Sequence, residues 1–168
     1  MELKGERVRL RPLEGQDARR LAEIGSAPEV ARWWPGLTVE YLTAKAERQI
    51  DTDEHAFTVD HAGEVVGLVQ AWEENEPEFR HAGIDVFLAP HVHGRGLGRD
   101  AVRTLARWLV ADRGHHRITI DPALANERAI RCYESVGFKR VGVLRRYWLG
   151  PDGEWHDGLL LDLLADEL

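Results

Sequence analysis

Cysteine is almost absent from this chain, and no apolar run is long. Cys132 is the only cysteine, which excludes an internal disulfide and a metal site built from several thiolates. Such scarcity fits a reducing compartment, so a cytoplasmic protein is expected. No uninterrupted apolar stretch approaches the roughly 20 residues that a membrane helix needs, and residues 1–11 are charged throughout, unlike a secretion signal. Positive charge is in deficit as well. Lys and Arg total 22 against 29 for Asp and Glu, a formal net charge of -7. Nucleic acid as a partner calls for a basic stripe, which this composition disfavours. An acidic chain suits a cationic substrate, or simply solubility. Metal-binding histidine spacing is also lacking. His91 and His93 are two apart, and His115-His116 has no cysteine nearby, so solvent-facing histidines and no metal are expected. Internal repeats, low-complexity tracts and linkers are missing, which argues for one domain over residues 1–168.

What is present reads as alternating strands and helices. Val8 and Leu10 alternate with arginines in a first strand, ended by Pro12. Helical spacing runs over 17–24, and Pro28 opens a short piece over 29–33. Pro35-Gly36 breaks it, and Thr38 is an N-cap for a helix over 39–50. Phe57 and Val59 lie in a second strand, which forms a hairpin with 64–72 through His61-Ala62-Gly63. The acidic run 73–78 holds Asn75 and Pro77 and reads as a loop. A fourth strand covers 80–89, with Asp85 in its apolar middle. A helix over 100–112 and a strand over 117–120 follow. Asn126 and Gly137 cap a helix over 127–136, and strands over 139–148 and 155–164 close the chain. The class is α/β, with one mixed central sheet flanked by helices.

The densest signal joins the fourth strand to the next helix: Leu88-Ala89-Pro90-His91-Val92-His93-Gly94-Arg95-Gly96-Leu97-Gly98-Arg99-Asp100. Glycines at alternate positions let the backbone turn tightly and bring its N–H groups close to a ligand. The first helical turn adds free N–H groups and the positive end of the helix dipole. The combination is a nest for phosphate oxygens. Arg99-Asp100 stand where a nucleoside-triphosphatase loop needs Lys-Ser/Thr, and Gly94-x-Gly96-x-Gly98 is not the dinucleotide spacing. A large phosphate-bearing cofactor of another kind is expected.

Together with the order of elements, this loop resembles the GCN5-related N-acetyltransferase superfamily over nearly the whole chain. His93 stands where that family usually has Gln or Arg. The segment Asp121-Pro122-x-x-x-Asn126-x-x-Ala129-Ile130-Arg131-Cys132-Tyr133-Glu134-x-x-Gly137-Phe138 is most similar to the aminoglycoside 6'-N-acetyltransferases, as is Trp155-His156-Asp157-Gly158-Leu159-Leu160. The resemblance implies a single-domain acyl-CoA N-acyltransferase fold with acetyl-CoA as cofactor. It implies direct transfer of acetyl to the 6'-amine of an aminoglycoside, a polycationic small molecule. His93, Gly94, Arg95, Gly96, Leu97, Gly98 and Arg99 would form the pyrophosphate site, with the backbone N–H groups of Arg95 through Arg99 doing most of the binding. The backbone of Val86, Phe87 and Leu88 would pair with the pantetheine arm, and Asn126 would also contact the cofactor.

Acetyl transfer to an amine needs a held cofactor, a neutral amine, a stabilised oxyanion and a protonated leaving thiol. A carboxylate in an apolar strand is costly unless partnered, and the resemblance sets Asp85 beside the amine as binder and proton acceptor. Tyr133 is the candidate general acid. Cys132, adjacent in sequence, points elsewhere and reads as buried filler rather than a nucleophile. Asp121, Glu73, Glu74 and Asp157 are candidate acceptors for further ammonium groups. Gln70 and Trp72 are candidates for ring-hydroxyl contacts, and Trp33 and Trp34 for a sugar face. Other readings are an acetyltransferase acting on a protein N-terminal or lysine amine, a polyamine or a siderophore amine, and a non-catalytic acyl-CoA-binding module. Monomer and homodimer both stay open.

Overall fold

The computed structural model describes residues 1–48 and 53–168. In chain order the strands and α-helices are β1 (Leu3–Lys4), β2 (Arg9–Pro12), α1 (Ala18–Ser26), α2 (Pro28–Ala31), α3 (Val39–Arg48), β3 (Glu54–His61), β4 (Glu64–Glu74), β5 (His81–Leu88), α4 (Leu97–Ala111), β6 (Arg117–Ile120), α5 (Glu127–Val136), β7 (Lys139–Leu149) and β8 (Trp155–Leu164). The strands form one eight-stranded sheet in the order β1-β2-β3-β4-β5-β6-β8-β7. Among the described residues only β5 and β6 run parallel, so the sheet is mixed, as expected.

Helices cover both faces. On α4 the apolar residues recur at helical spacing, and Leu97, Leu105 and Leu109 have no exposed surface; each such side chain stabilises the fold by about 1.5–3 kcal/mol. Trp108 of α4 packs edge-on against His55 and Phe57 of β3. Thr58, the next residue along β3, points to the opposite face and donates to Asp17 at the start of α1. Register carries this division across the sheet: Thr58 pairs with Leu68, Leu68 with Phe87, and Gln70 with Asp85.

The pairing of β5 with β6 is short. Ala82 pairs with Ile118 and Gly83 with Thr119, and no pair follows. Beyond Gly83 the two strands separate, and residues 84–88 keep strand form with only β4 beside them. The sheet therefore opens at the carboxyl end of β5, where the glycine loop and α4 begin.

Several expectations need correction. β1 is an additional strand, whereas β2 ends at Pro12 as expected. The last residues of the helix expected over 39–50, Gln49 among them, lie outside the described residues. Glu73 and Glu74 end β4 instead of opening a loop, because Glu73 turns inward and meets Arg113, His115 and His55. α4 begins at Leu97, three residues early, because Gly96 turns the chain and its carbonyl accepts the Asp100 N–H. His115 is not solvent-facing; it is 1% exposed.

Candidate active site

The opening between β5 and β6 is the mouth of a cleft of about 640 Å³, a size typical of small-molecule sites. Its walls come from α2 and the turn after it, from β4, β5 and the glycine loop, and from β6, α5 and β7. Two ends of opposite character result.

The loop end is built for anions. Gly94 has φ 73 and Gly96 φ 78, the left-handed region that glycine enters freely. Gly96 precedes the first turn of α4, whose free amides face the cleft end. Gly94, Gly96, Leu97, Gly98 and Arg99 line the cleft; Arg95 lies in the loop but does not. Instead, its carbonyl accepts a hydrogen bond from the Arg7 guanidinium. Asp100 is held from behind by the N–H groups of Glu6, Arg7 and Val8, at 3.1, 2.7 and 3.0 Å. These contacts brace the loop on the amino-terminal segment, a support that sequence reading missed. Arg128 and Arg131 of α5 also line this end; their spacing along a helix that points at the loop is the signal that would have found them. Asn126 lines the cleft and caps α5, its Oδ1 accepting from the Ala129 N–H at 3.3 Å.

The strand end is acidic. Gln70 Nε2 donates to Asp85 Oδ2 at 3.1 Å. Burial, with the charge of Asp121 adding to it, pushes Asp85 up to about 6 despite that bond. Burial likewise raises Asp121, against the hydrogen bond that the Tyr147 hydroxyl donates to it. Tyr133 is buried, and desolvation holds its phenol above the ordinary range. No protein group hydrogen-bonds its hydroxyl among the described residues. Cys132 also lines the cleft, and burial pushes its thiol up to about 11, so it stays protonated and is no nucleophile.

Of the residues expected at a site, Trp33, Trp34, Gln70, Asp85, Val86, Phe87, Leu88, His93, Asp121, Asn126 and Tyr133 line this one cleft, with the loop residues given above. Trp34 packs edge-on against Phe87 at 5.1 Å. Trp72, Glu73, Glu74 and Asp157 do not line it. Trp72 lies over Gly83, where a Cβ would come within 2.2 Å of the indole. Glu73 alternates to the opposite face of β4 from Gln70 and is bound by Arg113, His115 and His55. Glu74 accepts from the Glu76 N–H in a local turn. Asp157 accepts from the Arg146 N–H at 2.8 Å, inside an irregular stretch of β7.

Tyr147 and Trp148 are cleft residues missing from the expected set. Arg146 has φ 49, and the pairing of β7 with β8 is interrupted between Leu144 and Trp148. This bulge turns Tyr147 toward Asp121. Nothing in a strand-like sequence marks which side a bulged residue will face. Trp148 meets Trp33 across the cleft at 6.2 Å.

A cleft with glycine-loop amides and arginines at one end, a strand edge along its side and half-buried carboxylates at the other accommodates an anionic, amide-bearing cofactor and a cationic acceptor. Comparison with known proteins agrees. Residues 7–139 match the model described as Acetyltransferase (GNAT) domain. Aminoglycoside N(6')-acetyltransferase type 1 of Klebsiella pneumoniae is 32% identical over 165 residues, covering 87% of this chain and 79% of that one. Spermidine N(1)-acetyltransferase of Escherichia coli K12 is 29% identical over 141 residues, covering 82% and 75%. The structure of AAC(6')-Ib in complex with paromomycin and acetyl-CoA superposes with a TM-score of 0.78 at 27% identity, over 96% of each chain. A match of this extent, on a sheet that splays beside a glycine-rich loop, means that the chain belongs to the GNAT acetyltransferases and takes acetyl-CoA as its cofactor.

Proposed function

We propose that this chain, as one acetyltransferase domain over residues 1–168, transfers acetyl from acetyl-CoA to the 6'-amino group of aminoglycoside antibiotics. Transfer is direct, within a ternary complex. The observation that carries the reading is a pair of carboxylates, Asp85 and Asp121, in one cleft whose far end is cationic. An aminoglycoside carries several ammonium groups and needs more than one acceptor.

Residues 94–99 hold the pyrophosphate through backbone N–H groups, with Arg99, Arg128 and Arg131 supplying positive charge and Asn126 a polar contact. The free edge of β5 at Val86, Phe87 and Leu88 pairs with the pantetheine amides. Bound there, acetyl-CoA supplies a thioester carbonyl open to amine attack and a thiol as leaving group. Asp85 binds the incoming ammonium and accepts its proton; with a pKa of about 6 it is mostly ionised near neutral pH yet more basic than an ordinary carboxylate. Tyr133 keeps its proton across the physiological range and donates from its hydroxyl to the departing sulfur. Asp121 receives a second ammonium, oriented by Tyr147.

One detail favours a hydroxylated substrate over a simple polyamine. Gln70 Oε1 and Trp148 Nε1, both buried in the cleft wall, have no partner among the described residues. With its Nε2 on Asp85, Gln70 offers an acceptor, whereas the Trp148 N–H needs one. Sugar hydroxyls serve both after a small side-chain adjustment. A protonated polyamine carries donors only and leaves the indole unpaired.

Thiol release from acetyl-CoA with kanamycin, tobramycin, gentamicin, spermidine and a peptide amine tests the reading. The expected result is a kcat/KM for antibiotics bearing a 6'-amine well above that for spermidine. Faster turnover of spermidine or of the peptide overturns the antibiotic assignment and leaves an acetyltransferase of another amine.

A further inference from the structure

His93 sits at the junction of three parts of the cofactor site, with both ring nitrogens engaged. Its Nε2 lies 2.8 Å from the carbonyl of Leu88, the last residue of β5. Its Nδ1 lies against the guanidinium of Arg128 on α5. A carbonyl only accepts and a guanidinium only donates, so Nε2 carries the hydrogen and Nδ1 is bare. One neutral tautomer satisfies both neighbours. A second proton has only Nδ1 to go to, where it sets N–H against N–H and cation against cation.

We propose that His93 is a positioning residue for the cofactor: its neutral ring clasps the end of β5, the pyrophosphate loop and α5 together, and protonation opens the clasp. The imidazole sits on the residue before Gly94, so the first left-handed turn of the loop hangs directly from it. Releasing the ring frees that turn from the strand end and separates Arg128 from its acceptor. The surrounding charges come from each neighbouring element. Glu29 of α2 favours the imidazolium, and Arg128 of α5 and His91 of the turn before the loop oppose it. Burial is the largest influence and also opposes it, so the ring titrates below its ordinary range. The opposite role, an imidazolium that attracts the pyrophosphate directly, makes the reverse prediction about acid.

Calorimetric titration of coenzyme A into the intact protein, at about pH 7.5 and about pH 5.5, separates the two. H93Q supplies one donor and one acceptor in similar places with no proton to gain, and it rescues binding at the higher pH. H93A supplies neither and binds about tenfold more weakly there, the worth of one lost polar contact. On acidification to about pH 5.5 the wild type loses affinity relative to H93Q by a smaller, few-fold factor, because a ring that titrates below its ordinary range is only partly protonated there. Titration of the phosphates of coenzyme A, common to both proteins, cancels in the ratio. Equal pH dependence in the wild type and H93Q overturns the proposal, as does a relative gain of wild-type affinity in acid. If H93A fails to fold, the comparison with H93Q decides alone. None of these outcomes depends on which amine is acetylated.

Discussion

Among the described residues Asp85 has one hydrogen-bond donor, Gln70, and an acidic neighbour, Asp121. A carboxylate so supplied is ready for a cation. Its value of about 6 predicts an acid limb: kcat/KM rises as pH increases through about 6, when the base ionises. D85N removes the charge at nearly constant shape. It is expected to lower kcat/KM by about 10²–10⁴ and to abolish that limb, with coenzyme A affinity nearly unchanged. Y133F keeps the packed ring and loses the proton donor. It is expected to slow thiol release by about 10²-fold or more with unaltered cofactor binding, read by single-turnover kinetics. Unchanged rates in both variants overturn the two roles. Asp85 was legible because an acid in an apolar strand stands out, and Tyr133 because the Arg131-Cys132-Tyr133 segment carried a family likeness. Glu73 was misjudged for the converse reason. Its acid looked solvated, whereas its partners, Arg113, His115 and His55, come from other elements.

At the scale of elements, the loop and α4 form one unit. The left-handed backbone at Gly96 (φ 78) starts the helix where its amides face the cleft. G96A is expected to cost about 1–2 kcal/mol for a residue with a Cβ in that conformation, seen as roughly tenfold weaker coenzyme A binding with thermal stability only slightly lowered. The β7 bulge is the second unit. Asp157 holds the Arg146 N–H, Arg146 takes a positive φ, and Tyr147 reaches Asp121. Y147F is expected to raise KM for a substrate with several ammonium groups by about tenfold, one hydrogen bond to a charged group. KM for a monoamine should not move; an equal rise for both substrates sinks the link to a second ammonium. The bulge was not legible, since alternation in β7 is poor and register is set by pairing with β8. The start of α4 was placed late because three glycines suggest continued turn, whereas Leu97 is buried and the helix begins on it.

Over the whole molecule, the cleft exists because β5 and β6 pair at only two positions and then part. The far face of the sheet is fastened by Glu73, whose side chain has no exposed surface. Burial raises this carboxyl, but hydrogen bonds from Arg113, His115 and His55 outweigh it and hold it at about 2. A depressed carboxylate stabilises the fold above its ordinary value and loses that contribution as pH falls through the lowered one. His115, lowered by burial, acts with the same sign, since charging it in acid opposes folding. Stability should therefore fall steadily below about pH 5. E73A, which strands Arg113 and His115, is expected to cost about 3–5 kcal/mol, read as a denaturant midpoint at neutral pH. The acid loss should be shallower in the variant; an unchanged slope assigns the pH dependence to other groups.

The sequence alone determined the α/β class, the order of nearly all elements, the glycine-rich loop and two residues, Asp85 and Tyr133, that line the same cleft. Those features are written in local signals: alternation, helical spacing, glycine placement and a short motif. Only the tertiary structure decided which face each strand residue meets, how far β5 and β6 separate and which charges share a cleft. It excluded Trp72, Glu73, Glu74 and Asp157 from the cleft and added Tyr147, Trp148, Arg128 and Arg131. The physical reason is that a side chain's direction follows from strand register and bulges, and its charge from neighbours distant in sequence. Neither is encoded at the residue's own position.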